Sequence, residues 1–153
     1  MVEDKLGEIL RRQAAMAEAK RTQEAVAAEA AAKAAAVRET AEALWKEQSE
    51  QLDRAITELN EKMAANEVQL KKTWSEAHIA GAIECVSIVY AGDSYRHSLR
   101  RLNINVWANG LISVQMGTEN HSPKRTANFP LSDASRAKWF ECLLDFVDID
   151  TPE

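Results

Sequence analysis

Asp93, Ser94, His97 and Ser98 bring a carboxylate, an imidazole and hydroxyls into one short stretch of chain. By type they could supply a nucleophile, a base and an orienting acid, but those groups must meet within hydrogen-bond reach. One loop rarely provides all three, and no oxyanion-hole motif accompanies them. Metal chemistry would draw on His78, His97, His121 and the thiol of Cys85. No two of these histidines stand at metal-pair spacing, and Cys85 and Cys142 form no short Cys-x-x-Cys motif. Glycine-rich phosphate loops and the zinc-protease pattern are absent as well. The acids fall mostly on helix faces, where solvation accounts for them. The expectation is a protein that is not an enzyme, with no catalytic residues, no metal and no cofactor.

A different chemistry is suggested by the segment 99–117. Leu102, Ile104 and Val106 alternate with Arg101, Asn103, Asn105 and Trp107, and Ile112, Val114 and Met116 alternate with Leu111, Ser113 and Gln115. Alternation of this kind predicts two half-buried strands with one polar face. That outward face joins an aromatic, amides and a guanidinium, and Arg96, Arg100, Lys124 and Arg125 are expected to stand around it. Single-stranded nucleic acids are held by such sets: bases stack on the ring and phosphates pair with the basic rim. Equally, Trp107 and Leu111 at the hairpin tip could anchor a protein partner with an acidic surface, since tryptophan flanked by arginine is a frequent hot-spot composition.

Charge bears on this choice. The chain of 153 residues has a net charge of −5, which disfavours general affinity for nucleic acid or an anionic membrane. Locally the sign changes. Arg96 to Arg125 carries +4, and Asp133 to Glu153 carries −4.

The strands must be positioned by what surrounds them. From about Glu8 to Ala80 no helix breaker occurs, and alanine, glutamate, lysine, arginine, glutamine and leucine dominate. Glutamate precedes a base by four residues at Glu8/Arg12, Glu29/Lys33, Glu42/Lys46, Glu50/Arg54, Glu58/Lys62 and Glu67/Lys71, the favoured orientation. A helix over residues 1–80 is predicted, on the order of 100 Å long at 1.5 Å per residue. Over 45–77 a heptad can be written, with Ile56, Met63, Leu70 and Ala77 at a and Trp45, Leu52, Leu59, Asn66 and Thr73 at d. Such a stripe needs a covering helix, and a coiled coil that makes a homo-oligomer, two copies favoured, is the expectation. Residues 14–43 are rich in alanine, and Met16, Val26 and Val37 are their only large apolar side chains. They could form a tight antiparallel pair or stand alone as a spacer.

Residues 81–153 are expected to form a small antiparallel ββββα domain, so the fold class is α+β. Strands are predicted at 83–90, 99–107, 111–116 and 127–131, the last at an edge because of Pro130. A final helix, capped by Ser132 or Asp133, should bury Trp139, Phe140, Leu143, Leu144 and Val147, with Phe146 at the border.

Asn109-Gly110 separates the two alternating segments. A two-residue loop would set Val106 opposite Ser113 and place the two apolar sets on opposite faces. A three-residue loop, Ala108-Asn109-Gly110, pairs Val106 with Ile112, Ile104 with Val114 and Leu102 with Met116. The prediction is therefore a type I turn with a left-handed Gly110.

In element order, four strands and a helix with a basic loop before the last strand and a tryptophan in the helix, the second half is loosely similar to transcriptional coactivators that bind single strands on a curved sheet and dimerise through the helix. The resemblance implies a single-strand-binding sheet face. The N-terminus lacks an apolar leader core, no apolar run is long enough to span a bilayer, and the two cysteines suggest no disulfide framework. The expected setting is the cytoplasm. The expected function is an oligomeric adaptor for a protein partner as yet unidentified, and the alternative is single-strand binding.

Overall fold

The computed structural model describes residues 2–74, 79–91, 100–118 and 125–148. Helix α1 spans Val2–Met63. Glu3 and Asp4 in its first turn and Lys62 in its last complement the helix dipole. Ion pairs run along it at Glu8–Arg12 (2.7 Å), Glu29–Lys33 (3.2 Å) and Glu58–Lys62 (3.6 Å), and in reverse order at Arg38–Glu42 (3.0 Å).

The helix stops well short of Ala80. After Met63 the chain tightens into a 3-10 turn, Ala64–Asn66, and Glu67 adopts a left-handed conformation with φ 60°. Its N–H donates to the Ala64 carbonyl at 3.2 Å, which closes the turn. Gln69–Trp74 then form strand β1. The sequence here favours a helix locally, but pairing with the next strand wins. Propensity differences of tenths of a kcal/mol per residue cannot resist a full antiparallel ladder.

Four further strands follow: β2 (Ala82–Ala91), β3 (Arg100–Trp107), β4 (Leu111–Thr118) and β5 (Arg125–Pro130). They make one antiparallel sheet in the order β1-β2-β3-β4-β5. The architecture is α+β, as expected, but with five strands. The added strand separates this sheet from the four-strand order of the coactivators described above. β5 and β1 are the edges, and Pro130 sits at the end of one of them.

The β3–β4 hairpin has the three-residue loop. Val106 pairs with Ile112, Ile104 with Val114 and Leu102 with Met116. The Gly110 N–H donates to the Trp107 carbonyl at 2.9 Å, and Gly110 has φ +88°. Gly110→Ala is expected to cost about 1–2 kcal/mol, because an L-residue resists that region. Urea unfolding would measure it, and an unchanged midpoint would contradict the strain argument.

After β5 a 3-10 turn, Leu131–Asp133, leads to helix α2 (Arg136–Asp148). The cap is neither Ser132 nor Asp133. Ser135 Oγ accepts from the Lys138 N–H at 3.1 Å. The three residues diverted into the turn postpone the helix start. Its buried stripe is Trp139, Cys142, Leu143 and Phe146; Leu144 is exposed and Phe140 and Val147 only half-buried.

Two units divide the chain, Met1–Ala36 and Val37–Glu153. Within the second unit, Ala41, Trp45, Leu52, Ala55, Ile56, Leu59 and Met63 of α1 join one core with the sheet and α2. That core holds Leu70, Val86, Ile88, Leu102, Ile104, Val106, Ile112, Val114, Met116 and Phe129 from the strands. One face of the sheet is thus covered by two helices.

Candidate interaction surfaces

The apolar seam expected to join subunits is largely consumed inside the chain. Trp45, Leu52, Ile56, Leu59 and Met63 are buried against the sheet and α2. Leu70 is also buried, but as an inward residue of β1 rather than a heptad position. Asn66 lies exposed in the turn after the helix. Thr73 belongs to β1, and Ala77 lies outside the described residues. The coiled-coil reading of 45–77 is corrected on this ground. The fifth strand and the packed α2 supply the cover that a second helix was expected to give.

Several polar side chains that the sequence did not single out hold this arrangement. The Asn60 amide faces the edge of β1: its Oδ1 accepts from the Leu70 N–H at 2.8 Å and its Nδ2 donates to the Leu70 carbonyl at 3.0 Å. One side chain thereby stands in for a neighbouring strand on an otherwise open edge. Trp139 donates its indole N–H to Gln48 Oε1 at 3.1 Å and meets Trp45 and Phe129 edge-on, at centroid distances of 6.1 and 5.6 Å. Arg136 pairs with Glu58 at 2.7 Å, and this hydrogen bond holds the Glu58 carboxyl below its ordinary range. Contacts of this kind depend on three-dimensional proximity, and no spacing in the sequence announces them.

Glu84 is the anomaly of the inner face. It pairs across from Val106, and the Trp45 indole N–H donates to its Oε2. Lys72, paired with Asp53 at 2.7 Å, lies near enough to act on it. Burial dominates and raises the Glu84 carboxyl above its ordinary value, against the attraction of Lys72. A raised carboxyl binds its proton more tightly in the folded state. Its contribution to stability is full below the ordinary value of 4.5 and is lost as pH rises through the folded value. Glu84→Gln keeps an acceptor for Trp45 and removes this loss. The variant is expected to gain stability over the native chain as pH goes from 4 towards 7. Equal differences in unfolding midpoint at both pH values would refute the assignment.

The outer face of the sheet bears the residues proposed from the hairpin. Asn103, Asn105, Arg101 and Trp107 are half-buried there, and Leu111 and Gln115 are exposed. Register extends the face in both directions. Thr73, Ser87, Asn103, Gln115 and Thr126 form one row across all five strands, and Cys85, Asn105, Ser113 and Asn128 another. Ser87 Oγ donates to Asn103 Oδ1 at 2.6 Å, and the Trp107 indole N–H donates to Ser113 Oγ at 2.9 Å. The buried residues of α2 and of Val37–Met63 belong to the other side, so neither covers this face.

The basic rim does not gather as expected. Arg100 is buried on the inner side, over the Tyr90 ring at 4.5 Å, and donates to the Val147 carbonyl at 3.1 Å. A cation at the C-terminal end of α2 is favourable there. Alternation from Leu102 sets Arg100 on the apolar face. Arg125 pairs across from Met116 and engages Asp145 at 3.6 Å and Asp148 at 3.9 Å. Arg96, Lys124, the segment Asp93–Ser98 and all three histidines lie outside the described residues. Among the described residues, no cluster of three or more metal-ligating side chains occurs. Burial raises the Cys142 thiol to about 11, so it is held as an inert core group.

The remaining surface is the first half of α1. Its buried residues begin only at Ala41. Val2, Leu6, Ile9, Leu10, Met16, Val26 and Val37 are exposed, between 42% and 83% of their area. Among the described residues, no helix is long and apolar enough to cross a membrane. No family model matches this chain, and no curated protein and no solved structure matches it.

Proposed function

We propose that this chain is a non-enzymatic interaction protein, in which the sheet and its two covering helical segments form the folded unit and residues 2–36 form an assembly arm. One observation carries the reading: the arm contributes no buried residue, although it is more than half of a 62-residue helix. A segment that buries nothing adds little to stability within its own chain. Its large apolar side chains are exposed, and cover for them by another molecule is the role this reading gives the arm. The assembly role expected of the seam at 45–77 thus passes to the arm.

The test compares the whole chain with residues 37–153. All four tryptophans lie in the latter, so their fluorescence reports that unit alone. Removal of the arm is expected to leave the unfolding midpoint unchanged and to abolish association. A clear drop in midpoint at low concentration would instead make the arm part of the fold.

A second reading concerns the outer sheet face. It is favoured by the meeting of Trp107, Asn103, Asn105, Arg101 and Gln115 on the sheet face opposite the buried residues of the two helices, and weakened by the loss of Arg100 and Arg125 from its rim. If that face binds single strands, Trp107→Ala should weaken oligonucleotide binding by about 1–3 kcal/mol. No binding at low salt discards this reading.

A further inference from the structure

A continuous seam runs along the arm at alternating spacings of four and three: Val2, Leu6, Ile9, Gln13, Met16, Lys20, Gln23, Ala27, Ala30 and Ala34. Every one of these residues is exposed. The bulky members cluster at the N-terminal end and the alanines at the other. Reversing the seam against itself brings Val2 opposite Ala34, Leu6 opposite Ala30, Ile9 opposite Ala27, Gln13 opposite Gln23, and Met16 opposite Lys20. Each outer layer then joins a large side chain to a small one. Such layers keep the distance between two helices uniform, whereas a parallel pair would be wide at one end and narrow at the other.

We infer that the arm binds a second copy of this chain as an antiparallel two-helix coil. This rests on the assembly role proposed above. Charge supports both the partner and the direction. The arm holds six acids (Glu3, Asp4, Glu8, Glu18, Glu24 and Glu29) and six bases (Lys5, Arg11, Arg12, Lys20, Arg21 and Lys33), so two copies meet without net repulsion. A parallel pair in register would set Lys20 against Lys20 in one layer; the antiparallel pair sets it against Met16, along which its stem can lie. Glu8–Arg12 and Glu29–Lys33 already satisfy one another along each helix. The Gln13–Gln23 layers can exchange amide hydrogen bonds, and a shift by one heptad in either direction would set Gln13 against an apolar side chain, Ala30 or Met16. Contact over about 35 residues is a strip roughly 50 Å long and about 10 Å wide on each helix. The two copies together bury on the order of 1,000 Å², at the threshold for a specific interface. Association is therefore expected in the micromolar range rather than as a permanent complex.

Light scattering and sedimentation of the full chain across micromolar concentrations should give twice the chain mass. Leu6→Glu with Ile9→Glu should weaken the dimer by on the order of a hundredfold, since each charge is buried against alanine. The tryptophan-reported unfolding midpoint should not move. Orientation is read by disulfide trapping, with the native chain as the control for Cys85 and Cys142. Ile9→Cys mixed with Ala27→Cys should cross-link more readily than either variant alone. A monomer at every concentration, or a dimer indifferent to the two glutamates, overturns the pairing. Preferential linkage of Ile9→Cys to itself overturns the antiparallel sense. These failures would leave open an arm that binds a different protein, whereas a fall in midpoint on arm deletion would remove the assembly role itself.

Discussion

Trp139→Ala is expected to be the most damaging single truncation in this protein, lowering the stability of the sheet-and-helix unit by about 3–5 kcal/mol. Trp139 has no exposed area. Its removal leaves a void between α1, α2 and β5, where Trp45 and Phe129 now meet its ring edge-on. Aromatic pairs of this geometry add roughly 0.5–1.5 kcal/mol beyond their burial. The change also strips the Gln48 carbonyl of its indole donor. Against a usual total of about 5–15 kcal/mol for a domain, the loss is a large fraction. Urea unfolding followed by the remaining tryptophans measures it. A cost below about 1 kcal/mol would mean that the three rings do not form a shared core.

The second large effect separates the two halves of one helix. Leu52→Ala is expected to cost about 2–5 kcal/mol, because Leu52 is wholly enclosed between α1 and the sheet. Leu6→Ala, an identical change on the same helix, should leave the unfolding midpoint of that unit within about 0.5 kcal/mol of the native value. Its effect should be confined to association. If the Leu52 variant instead unfolded normally but lost dimer mass, the seam at Trp45–Met63 would be intermolecular and would not pack on the sheet of its own chain. If both variants destabilised the unit equally, the arm would have to fold back on it.

Much of the second half could be read in advance from side-chain alternation. Leu102, Ile104 and Val106 set against Ile112, Val114 and Met116 leave only one loop length that keeps both apolar sets on one face, and the observed register is that one. Gly110 follows from it, since a three-residue loop of this type needs a left-handed residue at that position. The edge position of β5 was likewise written in Pro130. Here a local constraint and the global fold agree, and counting was sufficient.

The outcome differed wherever the deciding partner lay far along the chain. Residues 64–74 have helical composition, yet they end a helix and pair with β2. Val68, Thr73 and Trp74 were the weak signals for a strand, and Asn66 marks a helix end as readily as a heptad interruption. The Asn60 clamp on Leu70, the Gln48 contact with Trp139 and the inward turn of Arg100 all depend on contacts across 10 to 91 residues.

By itself, the amino-acid sequence determined the α+β class, the long N-terminal helix, the hairpin register and the polar character of one sheet face, because each follows from periodicity within a short stretch. Only the tertiary structure decided which apolar stripe is covered at home and which is left bare. A heptad repeat records that a helix face must be buried, but not by what. That answer comes from the area other elements can lay against it: β1 and α2 reach Trp45 to Met63, while the bulky residues from Val2 to Met16 remain exposed to solvent.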